Sequence, residues 1–566
     1  MTAAILAFVR RKQTIMATGR VLMTFRGQLS AKRYSPLRSL ALMTRALAFL
    51  FLFSLSAHAA GLAGKKPNIV FLLTDDQGYA DVSCHGNPIL KTPNMDRLHA
   101  EGVRFEDFCV SPTCAPTRSA LLTGRHEFKN GITHTILERE RLTPHATTLA
   151  QVLKTAGYTT GIFGKWHLGD EPDRWPSARG FDEMFIHGAG GIGQTYPGTC
   201  GDAPGNKYFD PAILHNGTFE KTKGYCTDVF FGQATKWIEG IKDSKQPFYC
   251  HIATNAPHGP YIARPEDQAL FKDKVPDADA QNFYGMIHNI DENLGKLLAK
   301  LKEWGIEENT LVIFINDNGG TAGVKHYNAG LRASKGTPWM GGIKANSFWR
   351  WPGTLQPATV DSLAAHIDFF PTLAELAGAT LTDDVKKQVE GRSLVPLLEN
   401  PAAAWEDRTL FTHVGRWAKD ADPQKFKFTN CSVRTERWHL VNANAARGGE
   451  AKKAAKNNAK AKAKAKAPAP APAAPKTPAG TTTRPGDAII KSGPEAMQAN
   501  WQLFDLQADP GEQTDIAAAN PDVVKQLTTA YDAWWESCQP LLVNEKAPLP
   551  AENPFHTLYW KQFGKK

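Results

Sequence analysis

From Lys65 onward the chain alternates short apolar, β-branched runs with stretches of helical periodicity, and no other feature constrains the fold as much. Runs of this kind, apolar on both faces and separated by helices, belong to a mainly parallel sheet covered on each side. "NIVFLL" (68–73), "YTTGIFGKWH" (158–167), "PFYCHIA" (247–253) and "LVIFIN" (311–316) read as core strands. "TPNMDRLHAEG" (92–102) reads as a helix with Thr92 as N-cap, Pro93 in the first helical position and Gly102 after the end. A second helix is expected from Thr147 to Ala156, stopping at Gly157. Tyr284, Ile287, Ile290, Leu294, Leu297, Leu298 and Leu301 recur at helical spacing and predict a long buried helix. The fold class is therefore α/β, a large mainly parallel sheet flanked by helices. Near Arg408 the pattern changes to "RTLFTHV", "NCSVRTERWHLVN" and "WQLFDL", then a helix around "VVKQLTTAYDAWW". This predicts a smaller C-terminal α+β subdomain with an antiparallel sheet. The expected division is 65–405 for the larger domain and 406–566 for the subdomain.

The net charge of +10 does not describe the folded body. Residues 1–59 and the Lys/Ala/Pro-rich insert at 447–485 carry +9 each, which leaves the remainder at −8. A mildly acidic body excludes the basic footprint of a nucleic-acid binder. Arg38 and Arg45 precede "ALAFLFLFSLS", and Ala57-His58-Ala59 fits a small-x-small cleavage site, so 1–59 reads as a leader with a signal peptide. The apolar run is shorter than the roughly 20 residues of a membrane span. The expectation is an exported protein, periplasmic or secreted, with no stable span once the signal is removed. Export favours disulfides among the eight cysteines, and Cys200–Cys226, flanking a loop-like stretch, is the expected bridge. The insert has almost no large apolar side chains, so it is expected to be a disordered spacer.

One motif misleads. "GAGGIG" (188–193) matches the dinucleotide-binding glycine pattern, but "QTYPGTCGDAPGN" follows it and cannot be the helix on which a pyrophosphate sits. The chemistry lies at other strand ends. Asp75 and Asp76 follow the first strand, and Asp317 and Asn318 follow the "LVIFIN" strand. Taken alone each pair is as well read as a turn. Together, converging carboxylates beyond parallel strand ends suit a hard cation with oxygen ligands, Ca²⁺ or Mg²⁺. Lys165 and His167 in "GKWHLG", His258 in "NAPHGP", Lys335 in "LRASKGTP" and Arg118 add cationic or imidazole groups. They describe a pocket for a small tetrahedral oxyanion. Cys114 heads "CAPTRSALLTGR", and its thiol is a buried residue, a disulfide half, a nucleophile, or a chemically altered group.

Cys114-Ala-Pro116-Thr-Arg118, followed by "TGR", resembles the C-x-P-x-R signature of the type I sulfatases of the alkaline phosphatase superfamily. "LLTDDQGYADVSCHGN", "TPNMDRL", "GKWHLG", "NDNGG" and "LFDLQADPGE" resemble that family in the same order, over about 65–566 except the insert. The resemblance implies an alkaline phosphatase-like fold and hydrolysis of sulfate monoesters; export and the acidic body suit sulfated carbohydrates as the substrate class. It implies that a maturation enzyme oxidises Cys114 to Cα-formylglycine before folding. Asp75, Asp76, Asp317 and Asn318, with an oxygen of residue 114, would bind one Ca²⁺. Lys165, His258 and Lys335 would hold sulfate, Arg118 would sit beside the formylglycine diol, and His258 or Lys335 would protonate the leaving alcohol. His167 would take the proton that lets the aldehyde reform and expel sulfate. The chain departs from the family at "KGTPWMGGIKANSF", with Met340 where glutamate is common and Lys344-Ala345-Asn346 after the glycine pair. The rival readings are a phosphate or phosphonate ester hydrolase of the same superfamily and an inactive sulfated-glycan-binding protein.

Overall fold

The computed structural model describes residues 61–195, 198–443 and 500–564, so the leader at 1–59 and the insert at 447–485 lie outside the described residues. The first strands are β1 (Asn68–Thr74), β2 (Val103–Phe105), β3 (Phe108–Cys109), β4 (Thr159–Lys165) and β5 (Glu183–His187). Next come β6 (Ala212–His215), β7 (Thr218–Lys221), β8 (Phe248–Ala253), β9 (Thr310–Asn316) and β10 (Ser347–Arg350). The rest are β11 (Ala358–Val360), β12 (Ala364–Ala365), β13 (Leu410–His413), β14 (Cys431–Arg434), β15 (Trp438–Asn442) and β16 (Gln502–Asp505). Ten strands form one sheet in the order β11-β2-β10-β9-β1-β8-β4-β5-β6-β7. Its middle, β9-β1-β8-β4-β5, is wholly parallel, and antiparallel β10 and β6 border it.

Every residue of β1 is buried, and successive side chains enter different cores. Ile69, Phe71 and Leu73 pack with Leu149, Leu153, Phe369 and Leu373 on one face. Val70 and Leu72 pack with Phe230, Phe231, Ile287 and Leu294 on the other. The strand period of two thus divides one apolar run between two helical layers, each fully buried aliphatic side chain contributing roughly 1.5–3 kcal/mol. The long helix is Ala278–Glu303, and Asp277 caps it by accepting from the Ala280 N–H at 2.9 Å.

The expected helices form with shifted ends. The helix expected from Thr147 to Ala156 spans Leu149–Thr155, capped by Thr148 in a reciprocal capping box with Gln151. Thr92 occupies the cap position of Pro93–Glu101, but its hydroxyl accepts from the Ser83 N–H and donates to the Asp96 carboxylate, and caps no helix N–H. Gly102 is not left-handed (φ −117°); it is glycine because a Cβ there would lie 2.5 Å from the Trp349 carbonyl oxygen.

The antiparallel C-terminal sheet is β13-β14-β15-β16, covered by the Pro521–Cys538 helix through Leu527, Tyr531, Trp534 and Trp535. Strands β15 and β16 pair directly, with Trp438 opposite Asp505 and Val441 opposite Gln502. The expected Cys200–Cys226 bridge does not form, and all eight cysteines are free thiols. Cys226 starts the Cys226–Ile241 helix and is buried among Phe230 and its neighbours, whereas the Cys200 N–H donates to Glu140 elsewhere. No helix among the described residues is long and apolar enough to cross a membrane.

Candidate active site

The carboxyl ends of five adjacent parallel strands deliver the polar groups to one place. β1 leads to Asp75 and Asp76, β9 to Asp317 and Asn318, β8 to His258, β4 to Lys165 and His167, and β5 ends at His187. This is the crevice where open α/β sheets collect ligands. Cys114 opens the Cys114–Thr123 helix and, at 2% exposure, is sealed from solvent. The Lys335 loop closes over it, because the Gly336 N–H donates to the Pro112 carbonyl at 2.7 Å. Gly319 allows the Gly341–Gly342 backbone to approach; a Cβ there would be 2.0 Å from the Gly341 oxygen.

The carboxylates and cations interlock. Lys165 Nζ lies 2.6 Å from Asp75 Oδ2 and donates to the Gly190 carbonyl at 2.6 Å. Arg118 Nη2 lies 2.8 Å from Asp317 Oδ2 and 4.0 Å from Asp75 Oδ1. Lys335 Nζ lies 2.5 Å from Asp76 Oδ1, and His258 Nε2 lies 3.7 Å from Asp76 Oδ2. Asn318 Nδ2 donates to Asp76 Oδ1 at 3.1 Å, while the Asp76 N–H donates to Asp317 Oδ1 at 3.1 Å. Asp75 Oδ1 and Asn318 Oδ1 are buried without a hydrogen-bond partner. Ligand atoms of Asp75, Cys114 and Asp317 lie within 4.8 Å of one another, as do those of Asp75, Asp76 and His258.

Burial pushes Asp75 up to about 6 although Lys165 opposes it, and pushes Asp317 up to about 6 with Asp75 adding repulsion. Burial also works against an ionised Asp76, but Lys335 and His258 override it and hold that carboxyl well below the usual range. Arg118 is raised: burial opposes its charge, and Asp317 and Asp75 outweigh burial. The site is a charge-balanced lattice in which each carboxylate has a cationic partner.

Two buried groups escaped the sequence reading. Glu140 Oε2 lies 2.7 Å from His167 Nε2, which also faces the Thr135 carbonyl at 3.2 Å. Both partners are acceptors, so Nε2 carries the proton and the lone pair is on Nδ1, buried without a hydrogen-bond partner. Burial, reinforced by Lys165, depresses His167 to about 4, so its ring is neutral at ordinary pH. His187, opposite Lys165 in the sheet register, is buried with both ring nitrogens unpaired. No local pattern signals Glu140, which lies in "LERERL". The His187 signal was available in the rejected glycine motif. "GAGGIG" begins one residue after His187 and lines the site: Cβ atoms at Gly190 and Gly191 would lie 2.8 Å from the His167 and His258 rings.

The departure at Met340 has a local answer. Met340 is buried, and its N–H donates at 2.9 Å to Oε2 of Glu512, a carboxylate brought from the C-terminal part. Glu512 Oε1 in turn lies 2.6 Å from His439 Nδ1 on β15.

The family model for sulfatases matches residues 67–379, which spans more than half of the chain and includes the whole set of strand-end residues. The chain belongs to the sulfatase family. As an arylsulfatase-like sulfatase it is a sulfuric ester hydrolase with the alkaline phosphatase-like fold. Arylsulfatase J of Mus musculus is 29% identical over 503 residues, covering 86% of this sulfatase and 79% of the relative. N-acetylgalactosamine-6-sulfatase of Canis lupus familiaris is 32% identical over 403 residues, covering 66% and 74%. Among solved structures, Ps i-CgsB in complex with k-i-k-neocarrahexaose superposes with a TM-score of 0.66 at 25% identity, covering 88% of this sulfatase and 97% of that chain.

Proposed function

We propose that this sulfatase hydrolyses sulfate monoesters of carbohydrates, with Ca²⁺ held by Asp75, Asp76, Asp317 and Asn318 and with residue 114 as formylglycine. The gathering of Cys114 with Asp75 and Asp317, all buried and mutually within ligand distance, carries this reading. The donors suit a hard cation, since three carboxylates and one amide supply only oxygen. Asp75 Oδ1 and Asn318 Oδ1 are buried acceptors with nothing to accept from, a costly state that a cation would relieve. Bound there, Ca²⁺ would supply fixed positive charge against a sulfate oxygen and the nucleophile, and hydrated formylglycine would supply a hydroxyl in place of a thiol. The burial of Cys114 supports its conversion before folding, by a maturation enzyme that reads the extended C-x-P-x-R segment.

The side chains divide the remaining work. Arg118, tied to Asp317, keeps its charge beside residue 114. Lys165, His258 and Lys335 hold sulfate oxygens, and His258 or Lys335 gives a proton to the leaving alcohol. His167 accepts a proton at Nδ1, and Glu140 keeps that nitrogen unprotonated by holding the proton on Nε2. Carbohydrate as the substrate class is supported by the named activity of the N-acetylgalactosamine-6-sulfatases and by the oligosaccharide bound to Ps i-CgsB. Export of the chain, and the division into a catalytic part at 65–405 and a subdomain at 406–566, belong to the same reading.

The test compares kcat/KM for an aryl sulfate with the matching aryl phosphate and phosphonate, then for sulfated against desulfated oligosaccharides. The sulfate ester should be preferred, with sulfate released from the sulfated oligosaccharide. Preference for the phosphorus esters would contradict the reading. So would binding of sulfated glycans without turnover.

A further inference from the structure

We propose that Cys84, His85 and His99 form a second metal site, for a borderline-soft divalent cation of the zinc type. It lies apart from the oxygen-lined strand ends, on the turn after β1 and the helix that follows. One ligand atom from each of the three residues lies within 4.8 Å of the others. A thiolate with two imidazoles selects zinc over calcium, as four oxygens select the reverse.

The ring of His85 is set as a ligand is set. Its Nδ1 faces the Tyr79 carbonyl at 2.8 Å, an atom that can only accept, so Nδ1 carries the proton. The lone pair therefore sits on Nε2, which is buried with no hydrogen-bond partner. A backbone carbonyl fixing the tautomer of a histidine while its other nitrogen faces the metal is the usual outer support of a zinc ligand. Tyr79 also stacks on the His85 ring at 3.9 Å, and the Tyr327 hydroxyl donates to the His85 carbonyl at 2.6 Å. The rings of His85 and His99 meet edge to face with centroids 5.7 Å apart. Two imidazoles on one tetrahedral zinc, with Zn–N near 2.1 Å, stand about 5 Å apart by the same measure, so a small side-chain rotation closes the set. Glu106 Oε1, 3.9 Å from His99 Nε2, or a water completes four positions.

Cys84 is also the exception among the thiols. The other seven cysteines are buried, and Cys84 is partly exposed, which gives an ion a way in. Binding releases its thiol proton to solvent. The cation would clamp the Ser83–His85 turn to the Pro93–Glu101 helix, bracing the chain just after Asp75 and Asp76.

The test uses the full-length protein, stripped with chelator, resaturated with Ca²⁺ to fill the oxygen site, and titrated with Co²⁺. One equivalent should bind with an intense near-ultraviolet thiolate-to-cobalt band, and Zn²⁺ should abolish the band by displacement. Cys84→Ser should lose the band, and His99→Gln should weaken Co²⁺ binding at least about tenfold. No thiolate band at one equivalent, or a band that survives in Cys84→Ser, would overturn the proposal. If Cys84→Ser fails to fold, the unmodified protein decides: Zn²⁺ should protect Cys84 from alkylation, mapped by peptide mass. Equal labelling with and without Zn²⁺ would overturn it. Because Ca²⁺ is present throughout and no readout is turnover, failure here leaves the active-site reading untouched.

Discussion

At Asp317, burial and partnership act in opposite directions. Burial and its neighbour Asp75 push the carboxyl up to about 6, and Arg118 at 2.8 Å pulls it down. Such a group adds no apolar packing, and its removal leaves Arg118 with Asp75 as a counter-charge at 4.0 Å. Asp317→Ala is expected to leave far-ultraviolet circular dichroism unchanged while bound calcium and aryl sulfate turnover disappear together. Full turnover of this variant in excess chelator would rule out the metal reading. A second prediction concerns His167, whose Nδ1 is proposed as the proton acceptor. His167→Ala should lower steady-state turnover by about 10²–10⁴-fold. Glu140→Leu should lower kcat with KM little changed, and Glu140→Gln, which keeps an acceptor beside Nε2, should recover part of the loss. In the His167→Ala background Glu140→Leu should add nothing further; additive losses would show that Glu140 acts elsewhere. Glu140 was illegible in the sequence for a physical reason. Alternating charges at 138–141 are the usual pattern of a solvated stretch, yet all four residues are buried, because Arg139, Glu140 and Arg141 find partners in distant segments and Glu138 pairs with Arg141. Arg139 meets Glu545 at 3.2 Å, Arg141 meets Glu171, and Glu140 meets His167.

Four of the five parallel strands, β1, β4, β8 and β9, were legible as elements because each is an apolar run buried on both faces, whereas β5, five residues bounded by Glu183 and His187, offers no such run. The bordering strands β2, β10 and β11 have three or four residues and leave no such run, so their antiparallel and parallel pairings could not be read. In the small sheet, His413 on β13 offers a test of packing. Its Nε2 donates to the Phe426 carbonyl at 3.0 Å, and its Nδ1 is buried without a partner. Burial depresses it to about 4 from 6.5, so the folded protein holds it neutral. Between those values the unfolded chain binds the extra proton and the folded chain does not. The stability that the neutral ring contributes is therefore complete above 6.5 and is lost as pH falls toward 4. Between about pH 7.5 and about pH 4.5, the unfolding free energy of the parent relative to His413→Gln should drop by roughly 2–3 kcal/mol. A gap independent of pH would show that the ring is not held neutral.

For the whole molecule, strand order shows where the Lys/Ala/Pro-rich segment is inserted in the chain. The chain leaves at the end of β15 and returns at the start of β16, two strands that are direct neighbours. A short turn can therefore replace residues 450–480. Turnover of a small aryl sulfate should then change by less than a factor of about two, because loop length alters closure entropy only weakly. Loss of that activity in a folded deletion would place the segment in the site. The C-terminal part meets the Met340–Ile343 turn through Glu512, which accepts from the Met340 N–H and lies beside His439 on β15. The central claim is that residue 114 is no longer a cysteine in the working enzyme. A thiol at the head of a helix would need a base to activate it, whereas a formylglycine needs the oxygen-lined, charge-balanced pocket that surrounds Cys114. The decisive measurement is the mass of the peptide containing residue 114, from active protein made with the maturation enzyme present. The account predicts a peptide lighter than the cysteine form by the mass of H₂S less one oxygen, reactive toward hydrazides, with Cys114→Ala folded and inactive. An intact Cys114 thiol at full occupancy in fully active protein would contradict it.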